Sequence, residues 1–457
     1  MLRLAGDQVE SLFDELLPAE VRELPAELAV LDRLLADPRL LTSIEQAWAQ
    51  TARGHGRPTI PMASFVRLMV IKQRTGWGYE TLLREVSDSL HLRRFCLLPL
   101  TQQVPDESTV RKLARRLGPE VVAELTRAVI GKAQRETRFR ARAVRIDSTV
   151  IEADIRYPAD GVLAWQGARA LAREGRRLAA RLRGPSLRVV DRSRRIGKLV
   201  RAISRTLARR TGQRTDEVLA LNAKAGRALA RSIREARALA AQVRASARGR
   251  GAQAKLRAAQ RLEELADRCQ RVATQIQQRQ RGEKISDRLV SLADSAARPI
   301  RKGKLGRPNE FGYVVQLAEV TANTRRGVRG FVLPAATAAG NPGENRLLDQ
   351  TAAELARLGL RPCEVALDGG FVPGPTAQTL AGLAPARVFI AGRAEPGSRR
   401  TRRRLARYRT GCEGRISHLK RGYGLRRSRL KGHEGQQIWT GWAVLAYNLD
   451  TLAIHTT

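Results

Sequence analysis

Apolar residues recur at helical spacing through the first third of the chain. Leu12, Phe13, Leu16 and Leu17 open a stripe, and Leu28, Leu31, Leu34 and Leu35 continue one after Pro25. The stretch from Gly54 to Pro61 breaks the pattern. Beyond it, residues 65–71 open a helix expected to stop near Gly76-Trp77-Gly78. Residues 79–86 and 90–98 predict two short helices around Ser87-Asp88-Ser89, and Asp106 or Ser108 is placed to cap a further helix near Thr109. Short helices, tight turns and many arginines fit a helix-turn-helix reader of DNA, and they fit equally a plain helical bundle with solvated arginines.

At residues 142–150 the period changes from helical to alternating. Val144, Ile146 and Val150 are expected on one face of a strand, with Arg145, Asp147 and Thr149 on the other. Residues 161–304 return to helical spacing on an arginine- and alanine-rich background. The seams Leu229, Ile233, Ala236, Ala240, Val243 and Leu262, Leu265, Cys269, Val272, Ile276 flank Arg248-Gly249-Arg250-Gly251, which predicts a helical hairpin resembling an antiparallel coiled coil. Strand character resumes at 311–320 and 330–334, read as an antiparallel pair; a helix over about 344–358 follows, then strands at 363–368 and 386–392. A basic linker, 393–407, leads to a helix carrying Arg409, Glu413, Ser417 and Lys420 on nearly one face. Trp442, Leu445, Leu449 and Leu452 complete a last apolar helix stripe, expected to be core.

Charge narrows the function more than any single element. Among 457 residues, 84 Lys+Arg against 44 Asp+Glu leave a formal net charge of +40, a surface that seeks polyanions, of which nucleic acid is the commonest. No run approaches the roughly 18 apolar residues of a spanning helix, and the start of the chain lacks a signal-peptide pattern, so a cytoplasmic, nucleoid-associated protein with no membrane contact is expected. The four cysteines are scattered singly and the five histidines are unclustered, which argues against a zinc site or a disulfide framework. Any metal is therefore expected on carboxylates.

Three acids fall where such elements place chemistry. Asp147 lies on the first strand, and Asp368 ends a later strand just before Gly369-Gly370. Glu413 lies on the helix after the last strand, and Glu152, Asp154 and Asp160 are rivals near the first. Taken singly, each of the three reads as well as a salt-bridge or turn residue. Together, an all-oxygen set suits Mg²⁺, with Mn²⁺ able to substitute, and two such ions suit phosphodiester chemistry. Arg409 and Lys420 are the candidate phosphate holders, joined by Arg415 and Arg421 of the same basic segment.

The motifs Arg145-Ile146-Asp147-Ser148-Thr149, Leu367-Asp368-Gly369-Gly370-Phe371 and the run from Glu413 to Leu425 make the chain resemble the DDE-type bacterial insertion-sequence transposases, of the ISNCY-like group. The resemblance implies an α/β fold: an RNase H-like mixed sheet with flanking helices, plus an N-terminal helical domain and a long α-helical insertion. It divides the chain into a helix-turn-helix-like domain at 1–135, a discontinuous catalytic domain at 136–160 and 305–457, and an insertion at 161–304. It also implies two metal ions on Asp147, Asp368 and Glu413, cleavage at the element's terminal inverted repeats, joining of 3′-OH ends to target DNA, and a homodimer on DNA. Some relatives carry Tyr-x2-Arg-x3-Glu-x6-Lys. Here Arg409, Glu413 and Lys420 keep that spacing, while Ala406 occupies the Tyr position and Tyr408 is displaced by two residues. A basic architectural DNA-binding protein and an RNase H-like nuclease without strand transfer are the competing expectations.

Overall fold

The computed structural model describes residues 2–5, 16–49, 59–182, 187–209, 214–301, 309–393 and 398–456. The expected stripe at Leu12 and Phe13, the break beginning at Gly54, the domain boundary at 304–305 and part of the linker after Gly392 lie outside the described residues. The chain divides into two units, Met1–Asp154 with Gly312–Thr457, and Ile155–Phe311.

The first unit begins with helices α1 (Ala19–Arg22), α2 (Ala26–Leu35), α3 (Pro38–Ala49), α4 (Met62–Thr75), α5 (Tyr79–Asp88), α6 (Leu90–Phe95) and α7 (Glu107–Glu136). Helix α4 stops where the sequence predicts: Gly76 takes φ +71°, a left-handed cap that a side chain would strain. Asp106 caps α7 by accepting the Ser108 N–H at 2.8 Å. Strand β1 (Ala143–Ala153) follows.

The second unit holds α8 (Asp160–Ala179), α9 (Ser193–Ala208), α10 (Arg214–Ser246), α11 (Ala252–Gln280) and the short strand β2 (Arg298–Arg301). Helices α10 and α11 form the expected hairpin around Gly249 and Gly251, and both predicted seams are buried. The seams are not reserved for each other, because α8 packs on both helices and inserts Leu163 and Leu171 into the same core. The narrow stripes thus serve a bundle of more than two helices. Cys269 is fully buried in that core, as its seam position predicts, and burial pushes its thiol up to about 12.

The chain then returns to the first unit through β3 (Asn309–Thr321), β4 (Phe331–Val332), β5 (Ala336–Thr337), α12 (Glu344–Arg357), β6 (Glu364–Leu367), α13 (Pro373–Leu380), β7 (Arg387–Ile390), α14 (Arg399–Gly422), β8 (Arg427–Ser428) and α15 (Gly432–Thr456). The sheet is mixed, with β3 antiparallel to β1 and β6 and β7 continuing parallel in the order β3-β1-β6-β7. β4 pairs with β3 as the sequence predicts, and β8 adds to the far end of β1. Val144 and Ile146 join a core shared with Phe65, Val122, Trp442 and Leu445, so the N-terminal helices and the sheet bury the same apolar mass. Phe65 and Trp442 meet edge to face at 5.7 Å, confirming the α15 stripe as core rather than a surface for stacking bases.

Candidate active site

Strand β1 is buried on both faces, because one covers the helical core and the other lies under α14. The alternation read from the sequence therefore sends Arg145 and Asp147 toward α14. Parallel pairing with β6 matches Ile146 to Leu367, so Asp147 and Asp368 occupy the next position on adjacent strands, about 4.8 Å apart in backbone. Asp147 is largely buried at 9% exposure, and its carboxylate accepts the Ser148 N–H at 2.7 Å. Gly369 and Gly370 do not take left-handed φ. Their smallness serves close approach instead, since a Cβ at 369 would press on the Ala391 carbonyl and one at 370 would meet the Glu344 carboxylate.

Helix α14 brings the third acid. Arg409, half-buried, reaches Asp368 at 3.2 Å with one guanidinium nitrogen and Glu413, one turn along, at 3.2 Å with another. The helix-face prediction for Arg409 and Glu413 is thereby met, and Arg409 links the two carboxylates. An oxygen-only donor set matches a hard divalent cation in chemistry. Among the described residues, however, no three His, Cys, Asp or Glu side chains are already grouped to hold an ion, and Arg409 stands between Asp368 and Glu413.

The other predicted cations have partners or positions of their own. Lys420 donates to the Val150 carbonyl at 2.9 Å, against β1. Arg415 turns inward to Glu319 at 2.9 Å, while Arg421 is exposed at the end of α14. Among the rival acids, Glu152 pairs with Arg427 at 2.9 Å and Asp154 lies 4.0 Å from the same arginine. Asp160 belongs to the second unit, where Arg279 holds it at 2.7 Å.

Sequence reading missed the layer beneath. Glu319 on β3, opposite Arg145 in the register, is 1% exposed; its carboxylate takes Arg145 at 2.6 Å, Arg415 at 2.9 Å and the Gly330 N–H at 2.9 Å. Arg145 also donates to the Tyr408 and Val328 carbonyls, each at 3.1 Å. Burial opposes the Arg145 charge, but the adjacent Glu319 more than offsets it and holds the guanidinium above its ordinary pKa. An Arg and a Glu at facing positions on two paired strands were the available signal, and it appears only once the register is known. Tyr408, fully buried, bonds Thr321 at 2.6 Å and packs under the Arg145 guanidinium, which makes it a core residue. Burial foremost, then the Asp147 and Glu319 carboxylates, push the Cys412 thiol well above its usual range, so it stays protonated beside the site.

Gly411 gives a direct test of this packing. A methyl there would overlap the Arg145 guanidinium, whereas one at Gly414 meets open space. Gly411→Ala is expected to lower stability by about 1–3 kcal/mol, whereas Gly414→Ala is neutral or stabilises by roughly 0.5–1 kcal/mol. Urea midpoints of the two variants decide it; equal midpoints would contradict the close approach of α14 to β1.

Comparison with known proteins now bears on this geometry. Residues 14–116 match the family model described as "Transposase domain (DUF772)", and residues 317–449 match that described as "Transposase DDE domain". No curated protein and no solved structure matches the chain. Asp368, Arg409 and Glu413 fall inside the second match, while Asp147 lies outside it and joins the others through the β1–β6 register. With two transposase models matched in order along one chain, the protein belongs to the insertion-sequence transposases of the DDE class.

Proposed function

We propose that the chain cuts the phosphodiester bonds at the ends of its mobile element and joins the freed 3′-OH ends to target DNA, using the mixed sheet as an RNase H-like catalytic domain. The observation that carries this reading is the placement of Asp147 and Asp368 side by side on parallel strands, with Arg409 tying Asp368 to Glu413. Asp147, Asp368 and Glu413 would hold the divalent ions, Mg²⁺ in the first instance and two in number, with Mn²⁺ able to substitute. When bound, such ions supply charge stabilisation for the attacking and leaving oxygens.

The protein's own side chains position the substrate. Arg409 is able to exchange its bonds to Asp368 and Glu413 for a phosphate oxygen, which frees both carboxylates and holds the scissile phosphate beside them. Exposed Arg421 extends that hold along the backbone. In the first step a water oxygen attacks phosphorus and the 3′ oxygen leaves, taking a proton as it becomes a hydroxyl. In the second, that 3′-OH attacks a target phosphate and expels the target's own 3′ oxygen. The N-terminal helices are the proposed readers of the terminal repeats, and a homodimer would hold two ends. The ISNCY-like grouping and nucleoid association belong to the same reading. No helix among the described residues is long and apolar enough to cross a membrane.

Incubating the full chain with Mg²⁺ and a supercoiled plasmid carrying the element's ends tests the proposal. Nicked ends together with joined products are expected. Nicks without joined products would reduce the protein to a nuclease, and binding with no nicks would leave a DNA-architectural role.

A further inference from the structure

A second concentration of cations lies away from the carboxylates, in a cleft of about 390 Å³ lined by Lys72, Gln73, Arg426, Arg427, Arg429 and Trp439. Its floor is Lys72, only 3% exposed, whose ammonium sits 4.4 Å from the Trp439 ring and 4.9 Å from that of Tyr79. The Trp439 indole is fixed in turn by donating to the Gly424 carbonyl at 2.9 Å. Arg427 is satisfied by Glu152. Lys72, Arg426 and Arg429 ion-pair with no carboxylate of the described residues, and neither Asp nor Glu lines the cleft.

A buried lysine is ordinarily neutralised by an acid, and here two aromatic faces take that place. That satisfies one ammonium but gives no reason for two exposed guanidinium groups to converge on it. Burial, and then the Arg429 charge, pull the Lys72 ammonium down to about 8, a cost that a bound anion would reverse. We propose that this cleft binds a phosphate oxyanion, and that its natural source is the backbone of DNA already engaged at the carboxylates. The proposal rests on the transposase reading for that source. The register supplies the geometry: β8 pairs Arg427 with Glu152, five residues along β1 from Asp147, about 17 Å at ~3.4 Å per residue. Since a DNA strand carries one charge per ~3.4 Å of helix axis, a strand that reaches both places spans roughly five such spacings between the cleft and Asp147.

DNA binding by the full-length chain tests this through its salt dependence. Arg426→Gln with Arg429→Gln, both at the surface, and separately Lys72→Met, are expected to weaken binding to every sequence by about tenfold and to flatten the log–log salt slope by about 1. A second measurement uses inorganic phosphate as the probe: it should protect Lys72 from amine acetylation, mapped by mass spectrometry. If the wild type binds DNA and the variants keep both affinity and slope, the cleft proposal is overturned and the transposase reading stands. If the wild type binds no DNA, the transposase reading fails, and the acetylation result decides the cleft alone: protection by phosphate supports an oxyanion site, and its lack overturns one.

Discussion

Asp147→Asn is expected to depress Mg²⁺-supported DNA cleavage by about 10³-fold or more, since a carboxylate that anchors a divalent cation underlies several kcal/mol of charge stabilisation and each ~1.4 kcal/mol is tenfold in rate. The substitution is conservative in shape. Asn keeps a side-chain oxygen to accept the Ser148 N–H that Asp147 accepts at 2.7 Å, so β1 retains its local order while one negative charge is removed. Asp368→Asn should behave alike, for the β1–β6 register makes the two positions neighbours. DNA affinity should hold, or rise slightly, because the +40 surface is untouched and a repelling carboxylate is gone. Nicking of supercoiled plasmid, read beside a binding isotherm, separates the two effects. Wild-type nicking by both variants would remove Asp147 and Asp368 from the chemistry.

The largest stability effect is expected at Glu319. Glu319→Ala strips the counter-charge from Arg145 and Arg415 in a setting where the carboxylate is 1% exposed. Breaking a buried pair from one side costs about 3–5 kcal/mol, and at roughly 2–4 °C per kcal/mol the melting point should fall by about 6–20 °C. Glu152→Ala supplies the contrast: its partner Arg427 is half-exposed, and loss of such a surface pair is worth about 1 kcal/mol at most. Thermal unfolding followed by circular dichroism distinguishes them. A Glu319→Ala protein that melts with the Glu152→Ala protein would show that the buried charges are not coupled.

Both predictions bear on what the sequence made legible. The alternation at 143–150 located β1, and its odd positions put Arg145 and Asp147 on one face, because a strand's period is independent of its partners. Asp368 was recognisable as a strand-terminal acid, and the chain does turn at Gly369 and Gly370, which also leave room for Ala391 and Glu344. Arg409 and Glu413 were paired correctly by helix spacing. The same spacing grouped Lys420 with them, but spacing cannot say that the Val150 carbonyl lies within its reach. Glu319 was invisible for a similar reason. Its partners lie 174 and 96 residues away, and only strand register and helix docking bring them together. The shared core of the N-terminal helices and the sheet was equally hidden, since each apolar stripe advertises that it needs a partner without naming which.

The insertion of α8–α11 between β1 and the strands that complete the sheet also sets a timetable. Asp147 and Asp368 are 368 − 147 = 221 residues apart, and at ~5–20 residues per second a ribosome needs about 11–44 s between them. For most of that interval β1 has been made while β3, which ends at Thr321, and β6 have not, so a strand waits with its hydrogen-bonding edges unpaired. The helices of the second unit, all within residues 155–311, pack on one another before the sheet's later strands are made. The proposed catalytic centre is therefore among the last parts of the molecule to form, and a chain released early carries basic helices without the paired aspartates. Prematurely terminated products of this gene should compete for DNA without cutting it.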